Sequence, residues 1–81
     1  MQIVFSDRAI ESLRTAPPKV RRAFEKQLRF LVSNLLHPSL RAKKYDESAD
    51  LWQARVNQNW RFYFTIVSDT YVIEDVIAHS K

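Results

Sequence analysis

Arg55, Arg61 and His79 are the side chains of this sequence best suited to chemistry on an anion. A guanidinium presents planar donors that match a phosphate bidentately, and it is too basic to exchange protons near neutrality. Histidine titrates near pH ~6.5 and is the residue suited to moving protons there. The 81-residue chain has two histidines and no cysteine, which removes disulfides, thiolate metal sites and cysteine nucleophiles. It has no glycine either, so glycine-rich phosphate loops and dinucleotide fingerprints are excluded. Two histidines without thiols or a tight carboxylate cluster make a poor metal site. No metal and no small-molecule cofactor are expected.

The elements that must position these residues are legible in outline. Gln2 to Phe5 is a short β-prone run, followed by Ser6 as a helix N-cap with Asp7 in the first turn. Ala9, Ile10 and Leu13 share one helical face, and Pro17-Pro18 stops that helix and opens the next. Val20, Phe24, Leu28, Leu31 and Leu35 then recur at helical spacing, with Glu25 able to pair with Arg29. This helix should end near Leu36, because His37 precedes Pro38. A polar loop follows from Pro38 to Asp50, with room for a short strand around Lys44-Tyr45. Three strands close the chain, Leu51–Val56, Trp60–Val67 and Thr70–Ala78, broken by Asn57-Gln58-Asn59 and Ser68-Asp69. Asn and Asp supply the left-handed backbone that glycine-free turns need. The order is β-αα-βββ, an α+β fold with a helical hairpin on a small, mainly antiparallel sheet.

Register makes the chemistry specific. Trp60, Phe62, Phe64 and Ile66 alternate with Arg61, Tyr63, Thr65 and Val67. A three-residue loop at 57–59 puts Trp52, Ala54 and Val56 on the aromatic face and Arg55 directly across from Arg61. A two-residue loop would set Arg55 against Phe62 and mix the faces. Trp52, Trp60, Phe62 and Phe64 are therefore expected in the core. Like charges directly opposed cost a sheet on the order of a few tenths of a kcal/mol. Either an anion sits between the two guanidinia, or they splay apart or meet Glu47 or Asp50. With a two-residue turn at Ser68-Asp69, Val76 neighbours Arg61 and Asp75 shares the aromatic face with Phe62, unless a bulge exchanges the faces. In either case His79 and Lys81 run on beside the 57–59 loop.

Charge points the same way. The net charge is +4, but residues 1–44 carry +7 and residues 45–81 carry −3. A basic surface attracts polyanions and acidic partners, although lysines and arginines also serve simply to solvate a helix. Length and a 46% hydrophobic content fit a single domain over 1–81. No run approaches the roughly 20 apolar residues of a membrane span, and the start lacks the pattern of a secretory signal. A cytoplasmic protein without a membrane partner is expected.

Leu51-Trp52-Gln53-Ala54-Arg55-Val56, Trp60-Arg61-Phe62-Tyr63-Phe64 and Val76-Ile77-Ala78-His79 resemble the RelE/ParE superfamily of type II toxin–antitoxin toxins. The likeness covers essentially the whole chain, and the separation of Arg61 and His79 is similar to that of YoeB-type members. The resemblance implies a RelE-like fold and a growth-arresting toxin. It implies ribosome-dependent, metal-free mRNA cleavage if the chain follows RelE and YoeB, or gyrase inhibition if it follows ParE. By position, Arg61 matches the arginine of the ribonuclease branch, Arg55 replaces a RelE lysine, and Lys81 replaces a late arginine. Gln53 stands in place of a further lysine, Ser80 in place of the YoeB-type terminal tyrosine, and only Asp46 and Glu47 lie near the YoeB-type acidic base. Cleavage of this kind needs a base, an acid for the leaving oxygen and cations for the charge on phosphorus. Arg61, Arg55 and His79 are the candidates for it, with Lys43, Lys44, Tyr63 and Lys81 as RNA contacts. Tyr63 is suited to stacking on a base, or simply pairs across strands, and His37 is expected to be structural. The implied partners are ribosome and mRNA, and a cognate antitoxin whose acidic segment meets the basic first half, with Arg22 and Arg29 as its contacts. A binding toxin without catalysis, or a plain interaction module, remains the alternative.

Overall fold

The computed structural model describes residues 1–79, so the expectations for Ser80 and Lys81 lie outside the described residues. Strand β1 (Gln2–Phe5) leads into helices α1 (Asp7–Thr15) and α2 (Pro18–Ser33). Strands β2 (Lys43–Asp46), β3 (Leu51–Arg55), β4 (Trp60–Val67) and β5 (Thr70–Ala78) follow. They form one sheet in the order β1-β5-β4-β3-β2. Among the described residues only the β1–β5 pair is parallel. This is the expected α+β arrangement, with the strand near Lys44-Tyr45 present as β2.

The helix ends follow from local chemistry. Ser6 accepts the Ala9 N–H at 3.0 Å, and its hydroxyl donates to the Glu74 carbonyl at 2.8 Å. One residue thus caps α1 and ties it to β5. Arg21 donates to the Ala16 carbonyl at 2.5 Å, joining the start of α2 to the end of α1. Helix α2 ends at Ser33 rather than near Leu36. Asn34 is already extended (φ −163°, ψ 108°), and its side chain accepts the Leu36 N–H at 3.0 Å. Such local bonding by Asn competes with a further helical turn. Among the described residues, the expected Glu25–Arg29 pair does not form. Both side chains are exposed, where such pairs gain little.

The helices cover one face of the sheet. Phe24 of α2 meets Phe62 edge-on with ring centroids 5.2 Å apart. Phe62, Phe64, Leu31, Leu40, Ile73 and Val76 are fully buried. Trp52 and Trp60 pack against this core but stay half-buried, a common outcome for so large a side chain. No helix among the described residues is long and apolar enough to cross a membrane.

The β4–β5 ladder decides between the regular register and a bulge, in favour of the bulge. From Val67↔Thr70 to Phe64↔Ile73 it runs as anticipated from a two-residue turn. It then shifts, so that Tyr63 faces Asp75, Phe62 faces Val76 and Arg61 faces Ile77. The bulge at Glu74-Asp75 brings Val76 into the core beside Phe62 in place of a carboxylate. Asp75 accepts the Ser12 hydroxyl at 2.6 Å and the Val76 N–H at 2.8 Å. The bulge thus satisfies both the aromatic face and the acid. The left-handed turn residue is Ser68 (φ 56°) rather than Asp69, and none falls within 57–59.

Replacing Ser6 with Ala removes the α1 cap and the bond to the bulge together. Stability should fall by about 1–2 kcal/mol. Urea denaturation checks this as a lower midpoint with an unchanged slope.

Candidate nucleic-acid interface

The site is built on the 57–59 turn. Asn57 Oδ1 accepts the N–H groups of Asn59 at 2.8 Å and Trp60 at 2.9 Å, closing the loop without glycine. The closure fixes the register Arg55↔Arg61, Ala54↔Phe62 and Gln53↔Tyr63. The two arginines are therefore directly opposed on the face away from the buried phenylalanines. Arg61 Nη1 donates to the carbonyls of Asn57 and Trp60, each at 2.9 Å, so one edge of its guanidinium is held by the turn. The same turn anchors His79, whose backbone N–H donates to the Asn59 carbonyl at 2.7 Å.

A second support comes from α2. Gln27 is buried, and its amide donates to the Arg55 carbonyl at 2.7 Å and the Ser39 carbonyl at 3.0 Å. Its carbonyl accepts the Ser39 hydroxyl at 3.0 Å. The Arg55 N–H in turn donates to the Leu40 carbonyl at 2.8 Å. These bonds clamp the 37–41 loop to the end of β3, with Leu40 as its apolar anchor. They set Arg41, the next residue, beside Arg55. Arg41 adopts φ 47°, left-handed backbone that a non-glycine residue holds only at a cost.

The result is an open cleft of about 350 Å³ lined by Arg41, Lys43, Gln53, Ala54, Arg55, Arg61 and His79. Four cations and an imidazole converge there, and among the described residues no carboxylate lines it. Burial, followed by the charge of Arg55, holds the Arg61 guanidinium below its ordinary pKa, with Arg41 adding to the effect. Such an arrangement is unfavourable alone and becomes favourable around an anion. A second hollow of about 570 Å³ opens on the far side of Arg41 and Arg55, toward Lys26 of α2.

The structure brings Arg55, Arg61, His79, Lys43 and Gln53 together, and Tyr63 stands next to them. Tyr63 Oη accepts the Gln53 amide at 2.9 Å. Lys44 is turned away from the cleft. It pairs in register with Trp52, lies 5.4 Å from the centre of that ring and meets Asp50 at 2.6 Å. That bond raises its pKa. Arg22 and Arg29 are exposed on α2, away from the cleft-lining residues. Asp46 is occupied by its own turn, accepting from the Ser48 hydroxyl at 2.8 Å and holding its pKa down. Glu47 lies 3.8 Å from Lys44. Neither guanidinium of the Arg55–Arg61 pair meets a carboxylate among the described residues. Among those residues no cluster of three His, Asp or Glu is placed to hold a metal ion. His37 stacks on Phe30 at 3.8 Å and accepts the Ser39 N–H at 3.1 Å, a structural role in the same loop.

Sequence reasoning missed Arg41 and Gln27. Arg41 lies in a loop without periodicity. Gln27 lay open to detection as a polar residue one turn from Phe24 and Leu31 on the apolar side of α2.

Gln27→Ala removes a buried amide that serves the Ser39 and Arg55 carbonyls and should cost about 2–3 kcal/mol, read by thermal or urea unfolding. Inorganic pyrophosphate should raise the thermal midpoint of the unmodified protein, and Arg55→Gln should abolish that rise.

No family model and no curated relative matches the sequence. Solved structures do match in shape. A YoeB/ParE toxin from Agrobacterium tumefaciens superposes with a TM-score of 0.81 at 10% identity, covering 99% of this chain and 100% of that one. The YoeB dimer of Staphylococcus aureus gives a TM-score of 0.81 at 19% identity, covering 99% and 98%. RelE from the RelB–RelE antitoxin–toxin complex of Methanococcus jannaschii gives 0.76 at 20% identity, covering 93% and 88%. What these proteins share with the β-αα-ββββ chain is its architecture: it has the fold of the RelE/YoeB-like toxins.

Proposed function

We propose that the protein is the toxin of a type II toxin–antitoxin module and cleaves mRNA on the ribosome without a metal ion. The observation that carries this reading is the cleft in which Arg41, Lys43, Arg55 and Arg61 surround one histidine, with no carboxylate among the described residues that line it. A phosphodiester fits it by charge and by donor geometry. The 2′-OH of the preceding ribose attacks phosphorus as its proton passes to His79. The arginines hold the charge that accumulates on the phosphoryl oxygens, and Arg61, held by the turn at one edge, needs little reorganisation. The bond to the 5′ oxygen breaks, leaving a cyclic phosphate and a 5′ hydroxyl protonated from solvent. Lys43 adds affinity for the backbone but no sequence choice.

The M. jannaschii RelE neighbour is solved with its RelB antitoxin. A cognate antitoxin is proposed here as well, with an acidic segment suited to the exposed Arg22 and Arg29 of α2. A second reading, a toxin that occupies its target without cutting, is favoured by Gln53. Its amide is spent on Tyr63 rather than on an anion.

Induced expression with growth curves and primer extension on ribosome-bound mRNA separates the two. New 5′ ends that vanish in Arg61→Ala, and fall about 10²–10⁴-fold in His79→Ala, are expected. Growth arrest with intact message overturns cleavage, and a gyrase supercoiling assay then decides whether the target is that of a ParE-type toxin.

A further inference from the structure

One exposed aromatic has no part in the core. Tyr45 is 59% exposed on β2, and the β2–β3 ladder passes from Lys44↔Trp52 to Asp46↔Leu51 without pairing it. Its ring reaches over β3 to Tyr63, meeting it nearly edge-on with centroids 5.0 Å apart and planes at 72°. Tyr63 is fixed in turn by the Gln53 amide at 2.9 Å. Gln53 and Arg55 are two residues apart on β3, about 7 Å along the strand. A held aromatic platform therefore borders the basic cleft on the sheet face that bears the arginine pair. A bulge beside an edge strand is a common device for aiming one side chain. Packing gives little reason for so exposed a tyrosine, whereas a base adjacent to a bound phosphate does.

We propose that Tyr45 is a nucleobase-stacking residue, taking the base next to the phosphodiester held between Arg55 and Arg61. Tyr63 and Gln53 act as positioning residues that hold its ring over the sheet. This rests on the nucleic-acid reading of the cleft and adds a subsite that binds by π-face and tolerates different bases. The Gln53 carbonyl oxygen, without a hydrogen-bond partner among the described residues, is the group at hand to discriminate among them by accepting from an exocyclic amine.

The test uses ribosomes programmed with a message whose A-site codon carries 2′-deoxy sugars to block cleavage, and an abasic sugar at each codon position in turn. Removing one particular base should weaken binding of the unmodified protein by about tenfold. Tyr45→Ala should show that loss on the intact message and no further loss on the abasic one, while Tyr45→Phe should match the unmodified protein. Tyr45→Ala binding the intact message as tightly as the unmodified protein overturns the proposal. So does an abasic penalty that persists unchanged in Tyr45→Ala. Arg55→Ala separates the levels. Binding that needs Arg55 but ignores Tyr45 removes only the stacking subsite. No binding, or binding indifferent to Arg55, removes the nucleic-acid reading and this inference with it.

Discussion

Asn57 closes the β3–β4 loop with its own side-chain oxygen, and the cleft inherits its geometry from that closure. A loop one residue shorter would slide β3 by one position and turn every side chain on it to the other face. Arg55 would then point among the phenylalanines, and Gln53 would lose Tyr63. The same loop offers its carbonyls to Arg61 and its Asn59 carbonyl to His79. Three functional groups therefore depend on the hydrogen bonding of one short turn, and they keep their mutual positions as long as it is closed.

The second constraint is electrostatic. Arg55 and Arg61 repel, and Arg41 adds a third guanidinium close enough to depress the Arg61 pKa further. Among the described residues no carboxylate is supplied to relieve them. The fold tolerates this because the backbone around the pair is held by bonds insensitive to the side-chain charges. The Gln27 bridge from α2 to the Arg55 carbonyl is one of them. Stability and the proposed anion site thus draw on different atoms of the same residue, the Arg55 carbonyl for one and its guanidinium for the other.

The order of elements, the three-residue loop and the Arg55–Arg61 pairing were legible in the sequence, because alternation in β4 is strong and only one loop length keeps both faces consistent. The bulge in β5 was legible only as an alternative, raised by Asp75, a carboxylate that a regular ladder would set on the face of Phe62. Alternation alone could not decide for it or place the extra residue. The end of α2 was missed because Leu35 continues the apolar stripe past Asn34, whose side-chain bonding overrides it. In the site, strand residues were found by register, whereas Arg41 escaped because loops carry no period. Lys44 was grouped with Lys43 for its charge, although adjacent strand residues face opposite sides.

Arg41 also constrains how this surface can change. Its backbone sits where glycine would rest more comfortably, yet glycine there would delete a cation from the mouth of the cleft. Substitutions that ease the chain and substitutions that keep the field are therefore mutually exclusive at this one codon. Variants selected only for heat tolerance would drift toward the first and thin the positive charge at the cleft, with the sheet and helices unaltered.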